Sequence, residues 1–175
     1  MPNTSRITQS RPSSFATQAT QTIVGASQYA VGDAISDSAT APTALPFTVG
    51  RILGGGARIT GATIYKDDDD LTAAAFGLAL FETAPAAAGF KDNVALAITA
   101  TEWKDCIGII RWQTTDIESL KVGSGGTVPA LLGGGALHIV PDASVKTISG
   151  VLFNLETYTP SAGEIVTVTL FGTHD

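Results

Sequence analysis

Cysteine is almost missing from this 175-residue chain: Cys106 stands alone, so no internal disulfide can form. Beside the apolar run Ile107-Gly108-Ile109-Ile110 it reads as a small buried hydrophobe, not a reactive thiol. Histidine is nearly as scarce. His138 lies inside Leu137-His138-Ile139-Val140, His174 is the last residue but one, and no Gly-x-Ser-x-Gly turn occurs. That inventory offers no nucleophile–base constellation and no metal-ligand spacing, so no catalytic, cofactor-binding or metal-binding residue is expected. Aromatic residues make up only 7%, which argues against the sugar-stacking cleft of a glycosidase. Positive charge is short as well. Ten basic residues face 16 acidic ones for a net charge of −6, and nucleic-acid affinity depends on Lys and Arg neutralising phosphates, so DNA and RNA are poor partners. Long apolar runs are absent: the longest, residues 71–81, is too short to cross a bilayer as a helix. Met1-Pro2-Asn3-Thr4-Ser5-Arg6 leads into no apolar segment of the secretory type. The expectation is a soluble protein, not an enzyme, with no membrane partner.

What is present is Ala, Val, Ile and Leu in short stretches punctuated by 19 Gly and 8 Pro, the make-up of many short strands joined by turns. Strands are expected near 22–31, 45–53, 57–66, 74–83, 107–113, 136–140, 147–156 and 164–172. The alternation is clearest at Val166-Thr167-Val168-Thr169-Leu170, where the apolar residues share one face and the threonines the other. Only residues 84–91 and 101–106 invite helical turns, the second with Thr101 as its cap. Eight short strands without long helices predict an all-β fold, an antiparallel β-sandwich. It is expected to be jelly-roll-like, with another barrel or Greek key as second choice.

Residues 1–21 stand apart. They are rich in Ser, Thr and Gln, hold only Ile7 and Phe15 as sizeable apolar groups, and carry Arg6 and Arg11 with no acid. The reading is an extended, flexible N-terminal arm, followed by a single domain over 22–175 in which every acidic residue falls. Arg6, Arg11 and Phe15 are the candidate contacts of that arm with a partner. The echo of Gly54-Gly55-Gly56-Ala57 in Gly133-Gly134-Gly135-Ala136 reads as two glycine-dependent bends. Neither these loops nor Gly123-Ser124-Gly125-Gly126 has the spacing of a phosphate loop. The four aspartates at 67–70 lack the alternation of a Ca²⁺ loop and read as a solvated hairpin tip.

One anomaly bears on function: several strands are apolar on both faces. If Val151, Phe153 and Leu155 face the core, Leu152 faces away, and Ile109 opposes Ile110 and Trp112. Such strands are either covered by a loop or placed in an interface, and Ile109 and Leu152 are the candidate interface residues.

Ser27-Gln28-Tyr29-Ala30-Val31-Gly32-Asp33-Ala34-Ile35, Gly54-Gly55-Gly56-Ala57-Arg58-Ile59-Thr60, Leu78-Ala79-Leu80-Phe81-Glu82-Thr83-Ala84-Pro85, Asp92-Asn93, Leu152-Phe153-Asn154-Leu155 and Tyr158-Thr159-Pro160 resemble the capsid decoration, or cement, proteins of tailed bacteriophages. The resemblance spans roughly residues 27–172 in loose strand-and-turn phrases without a catalytic signature. It implies a jelly-roll virion protein on the outer surface of the capsid that bridges neighbouring capsomers. Its partners would be the major capsid protein and itself, as a homodimer or homotrimer. The competing functions are a carbohydrate-binding jelly-roll module, with Trp103 or Trp112 as platform, and a tail or fibre component.

Overall fold

The computed structural model describes residues 13–67, 75–113, 126–131, 136–141 and 143–174. Ten strands are present among the described residues: β1 (Ser14–Thr22), β2 (Ala34–Ile35), β3 (Leu45–Thr48), β4 (Ala57–Lys66), β5 (Phe76–Phe81), β6 (Cys106–Trp112), β7 (Gly126–Leu131), β8 (Leu137–Ile139), β9 (Thr147–Asn154) and β10 (Ile165–His174). They form two five-stranded antiparallel sheets. The first runs β1-β10-β4-β7, with β8 pairing the other half of β4; the second runs β2-β9-β5-β6, with β3 also on β9. The chain thus nests as β1 with β10, β2 and β3 with β9, β4 with β7 and β8, and β5 with β6. The β10–β4 and β9–β5 pairings join these nested hairpins into the two Greek keys of a jelly roll.

Alternation fills the space between the sheets. Val166, Val168 and Leu170 of β10, Ile59, Ala62 and Ile64 of β4, Phe76, Leu78 and Leu80 of β5, and Ile110 and Trp112 of β6 belong to one apolar cluster. Small residues allow its large ones to fit. A Cβ on Gly150 would lie 2.7 Å from Phe47 and 2.9 Å from Leu78; on the opposite side of the second sheet, one on Gly77 would fall 2.2 Å from the ring of Phe153.

Two expectations about the chain change here. The arm was expected to run to residue 21, but residues 14–22 are β1, paired with β10 over nine positions from Ser14↔Thr173 to Thr22↔Ile165. Ala19 and Gln21 are buried, and the Thr17 hydroxyl accepts a hydrogen bond at 3.1 Å from the Thr48 amide of the other sheet. Backbone pairing, which needs no large side chains, orders this stretch. The strand expected at 22–31 is instead irregular chain with one bridge, Tyr29↔Tyr158. The remaining expected strands stand close to where the alternation puts them, and β2 and β7 are additional. The two helical segments are short 3-10 turns, Ala87–Gly89 and Glu102–Asp105. Thr101 makes no cap bond. Thr99 does: its hydroxyl accepts from the Glu102 amide at 3.3 Å while the Glu102 carboxylate accepts from the Thr99 amide at 2.8 Å, a reciprocal capping pair.

One end of the sandwich is closed by buried polar groups. Lys66, the last residue of β4, lies 3.3 Å from the Glu164 carboxylate, with both side chains essentially sealed from solvent. The Lys66 ammonium sits 4.3 Å from the centre of the Tyr158 ring, and the Tyr158 hydroxyl donates to Glu164. Tyr158 is 6.3 Å from the Tyr29 ring, and the Tyr29 hydroxyl donates to Asp92 at 2.7 Å. Asp92 also accepts from the Ser36 amide at 2.9 Å. Desolvation pushes the Glu164 carboxyl above its ordinary 4.5, against the pull of Tyr158 and Lys66. Burial, then the bond to Asp92, raises the Tyr29 phenol far above its ordinary 10.0.

Two outcomes follow from these contacts. Lys66→Met strands a buried carboxylate and should cost about 3–5 kcal/mol in chemical denaturation, whereas Lys66→Met with Glu164→Leu should cost distinctly less, because the charges leave together. Tyr29→Phe should cost about 1–3 kcal/mol at neutral pH. Because the folded pKa of Tyr29 is raised, its stabilisation is whole below the unfolded value of 10.0 and declines as pH climbs beyond it. Denaturation at neutral pH and at pH values above 10.0 should therefore show a smaller alkaline loss in Tyr29→Phe than in the parent.

Candidate interaction surface

Each sheet has one face in the core and one facing out, and the two outer faces are treated differently. On the second sheet, Ala34, Ala79, Phe81, Val151 and Phe153 point outward and are buried beneath Phe90 and Ile98, with Leu96 and Leu155 packed at the margin. Residues 82–105 supply most of this cover. The Glu102 carboxylate clasps it, accepting from the Ala86 amide at 2.6 Å and from the Thr99 amide and hydroxyl at 2.8 and 2.7 Å. Those bonds, led by the one from Ala86, hold the carboxyl below its ordinary range.

On the first sheet nothing among the described residues covers the outer face. β1 presents Ser14, Ala16, Gln18, Thr20 and Thr22, β10 presents Ile165, Thr167, Thr169 and Phe171, and β4 presents Gly61, Thr63 and Tyr65. The register sets Thr20 beside Thr167 and Thr167 beside Tyr65, so these residues form one continuous surface. Thr20 and Thr167 share a hydroxyl contact of 3.3 Å across it. The large apolar groups are substantially open: Ile165 36%, Tyr65 38% and Phe171 40% exposed. None of the twelve residues carries an acidic or basic side chain, and β7 beyond β4 has none in its sequence. Among the described residues of this face, charge appears only at the ends of β4: Arg58 is exposed near its start, and Asp67 follows its last residue, bonded at 2.7 Å to the Ile165 amide.

A bulge between Phe171 and Gly172 lets the face bend. A Cβ on Gly172 would lie 2.3 Å from the Arg58 carbonyl oxygen and 2.7 Å from the Phe15 ring, so glycine is required there by close approach of backbone and ring.

The residues proposed from sequence fall as follows. Leu152, expected on the outer face, is 1% exposed in the core opposite Leu78, while Val151 and Phe153 are the outward pair. The expected phase of β9 is reversed, because its outward apolar residues are covered by the chain's own loop and offer no open contact. Phe15, expected in the arm, packs against the core from β1, with its ring 5.0 Å from His174. Ile109 is on the outer side of the edge strand β6, 40% exposed. Arg6, Arg11 and the aspartates at 68–70 lie outside the described residues. Trp112 is fully buried and cannot be a glycan platform, and Trp103 is partly open with its ring 5.5 Å from Phe81.

Chemistry is sparse. Among the described residues no three His, Cys, Asp or Glu side chains gather to hold a metal, and no helix is long and apolar enough to cross a membrane. A surface cavity of about 320 Å³ is lined by Glu82, Thr83, Ser144, Thr147 and Ser149, and one of about 480 Å³ by Arg51, Ile52 and His174. The Cys106 thiol is pushed up by burial, as suits its packing beside the covered cluster. The open face was missed in the sequence, although Thr167 and Thr169 already marked it; its signal is absence of charge over three strands that are distant in the chain.

No protein-family model and no curated protein matches the chain. Among solved structures, it is similar to a chain of the cyanophage Pam1 capsid asymmetric unit (14% identity, 99% of each chain covered, TM-score 0.38). It is also similar to the PRD1 vertex protein P5 (12% identity, 91% of this chain and 96% of that one, TM-score 0.36). A third similarity is to a chain of tomato aspermy virus (5% identity, 92% and 76% covered, TM-score 0.35). The jelly-roll assignment rests on the strand pairing itself.

Proposed function

We propose that this chain is a structural virion protein that decorates the outside of a phage head and bridges neighbouring capsomers, with the major capsid protein as its partner. The observation that carries this reading is the inequality of the outer faces: one is sealed by the chain's own loop, the other is wide, uncharged and open. An apolar and hydroxyl-rich sheet face without charges is suited to contact with another protein surface.

Attachment works by multiplicity. Each contact is modest, and once one is made the next becomes intramolecular, so avidity exceeds any single affinity. Arg6 and Arg11 precede β1, the outermost strand on its side of the first sheet. From there they form forked bonds to capsid carboxylates, and the backbone ahead of β1 adds to a partner's sheet edge.

The test is occupancy on purified heads stripped of the protein. Because β1 is integral, the informative deletion removes residues 1–12 and spares the strand. It should leave the melting temperature nearly unchanged and reduce occupancy. Rising salt should weaken the intact chain more than the deletion, since the arginine contacts are screened. Equal occupancy of the two forms across the salt series would refute the assigned role of Arg6 and Arg11. Failure of both to bind heads would refute the decoration reading.

A further inference from the structure

We infer that the open face of the first sheet is occupied by a second copy of this chain, stacked face to face with its strands running antiparallel to those of the first. The inference rests on the proposed structural role and names the partner of the surface described above.

Three observations suit a second copy. First, the chain carries a net charge of −6, so two copies repel wherever charged surfaces meet. The outer face of β1, β10 and β4 is where they can approach without bringing like charges together. Second, the face is chemically self-complementary. Hydroxyls both donate and accept, so Thr20, Thr63, Thr167, Thr169 and Tyr65 can bond to the same set on a twofold-related copy, while Phe171 and Ile165 gain apolar cover. Third, the size suits a reversible dimer. Three strands at about 4.8 Å spacing and about 30 Å length outline roughly 430 Å² per copy, or roughly 860 Å² for the pair, the scale of a weak, concentration-dependent association.

The ends of β4 set the orientation. Arg58 and Asp67 stand at opposite ends of the strand with the uncharged stretch between them. A twofold axis lying in the contact plane across the strands reverses β4 over its copy and sets each Arg58 above the other chain's Asp67. An axis along the strands would place Arg58 over Arg58. Stacked sheets keep their strands within about 30° of alignment, which leaves the end charges within reach of an arginine side chain. The outcome is a closed, isologous dimer, which suits a bridge between two neighbouring subunits.

Sedimentation of the full chain over a concentration series tests this. The parent should pass from monomer to dimer. Phe171→Glu, which would bury a charge in the contact, should weaken association by about a hundredfold or more. Arg58→Glu should weaken it by about tenfold, and Arg58→Glu with Asp67→Arg should recover most of that loss relative to Arg58→Glu. Ile109→Glu, on the other sheet, should change nothing, and unchanged melting temperatures certify the folds. A dimer that survives Phe171→Glu, or one abolished by Ile109→Glu, would overturn the inference, as would a parent that stays monomeric throughout. A monomer that still occupies heads would overturn the pairing while leaving the decoration reading intact. A dimer that ignores heads would do the reverse.

Discussion

A strand has two faces, and a two-layer sandwich can hide only one of them. That constraint governs this molecule, since committing Val166, Val168 and Leu170 of β10 to the core commits Ile165, Thr167, Thr169 and Phe171 to the outside. The two sheets answer it differently. The second carries Phe81, Val151 and Phe153 outward and recovers their burial with residues 82–105, held by the Thr99–Glu102 capping pair. The first leaves its outer face open and makes it tolerable in water with threonine hydroxyls, while keeping charge away from it. A surface kept neutral in an acidic protein is costly for solubility, and the proposed contact accounts for it.

The shape of that surface depends on what lies behind its end. Tyr65 and Ile165 are followed and preceded by Lys66 and Glu164, whose side chains turn inward to the buried ion pair and the Tyr158 ring. Buried charges add little net stability, but they tolerate few arrangements, and here they tie the end of β4 to the turn that enters β10. The Tyr29–Asp92 bond extends the tie to the chain that runs between β1 and β2 and to the covering loop. Apolar packing supplies the driving force between the sheets, and these polar contacts define one register at the end where two central strands meet.

Much of the fold is legible in the sequence because period-two alternation is strong wherever large aliphatic residues are used. β4, β5, β9 and β10 lie close to the expected spans for that reason. β1 was not legible: its inward residues Phe15, Thr17, Ala19 and Gln21 are mostly small or polar, and its order comes from pairing with β10, 150 residues away. β7 was obscured by Gly126 and Pro129, the latter tolerated on the outer strand of a sheet. The phase of β9 could not be read from Val151-Leu152-Phe153, which is apolar either way; the opposition of Leu152 to Leu78 and of Phe153 to Gly77 decides it. The open face assembles from residues 14–22, 61–65 and 165–171, and no local pattern announces that these segments are neighbours.

The uncharged outer face of β1, β10 and β4 is the surface proposed to be covered in the assembled state. Hydroxyl-radical footprinting of the isolated protein at low concentration and of the protein on heads addresses it most directly, because it reads side chains by solvent exposure. Phe171, Tyr65 and Ile165 should lose most of their labelling on assembly while Trp103, above the covered face, keeps its own. Unchanged labelling of Phe171 and Tyr65, with protection moving to Trp103 and Ile109, would contradict it.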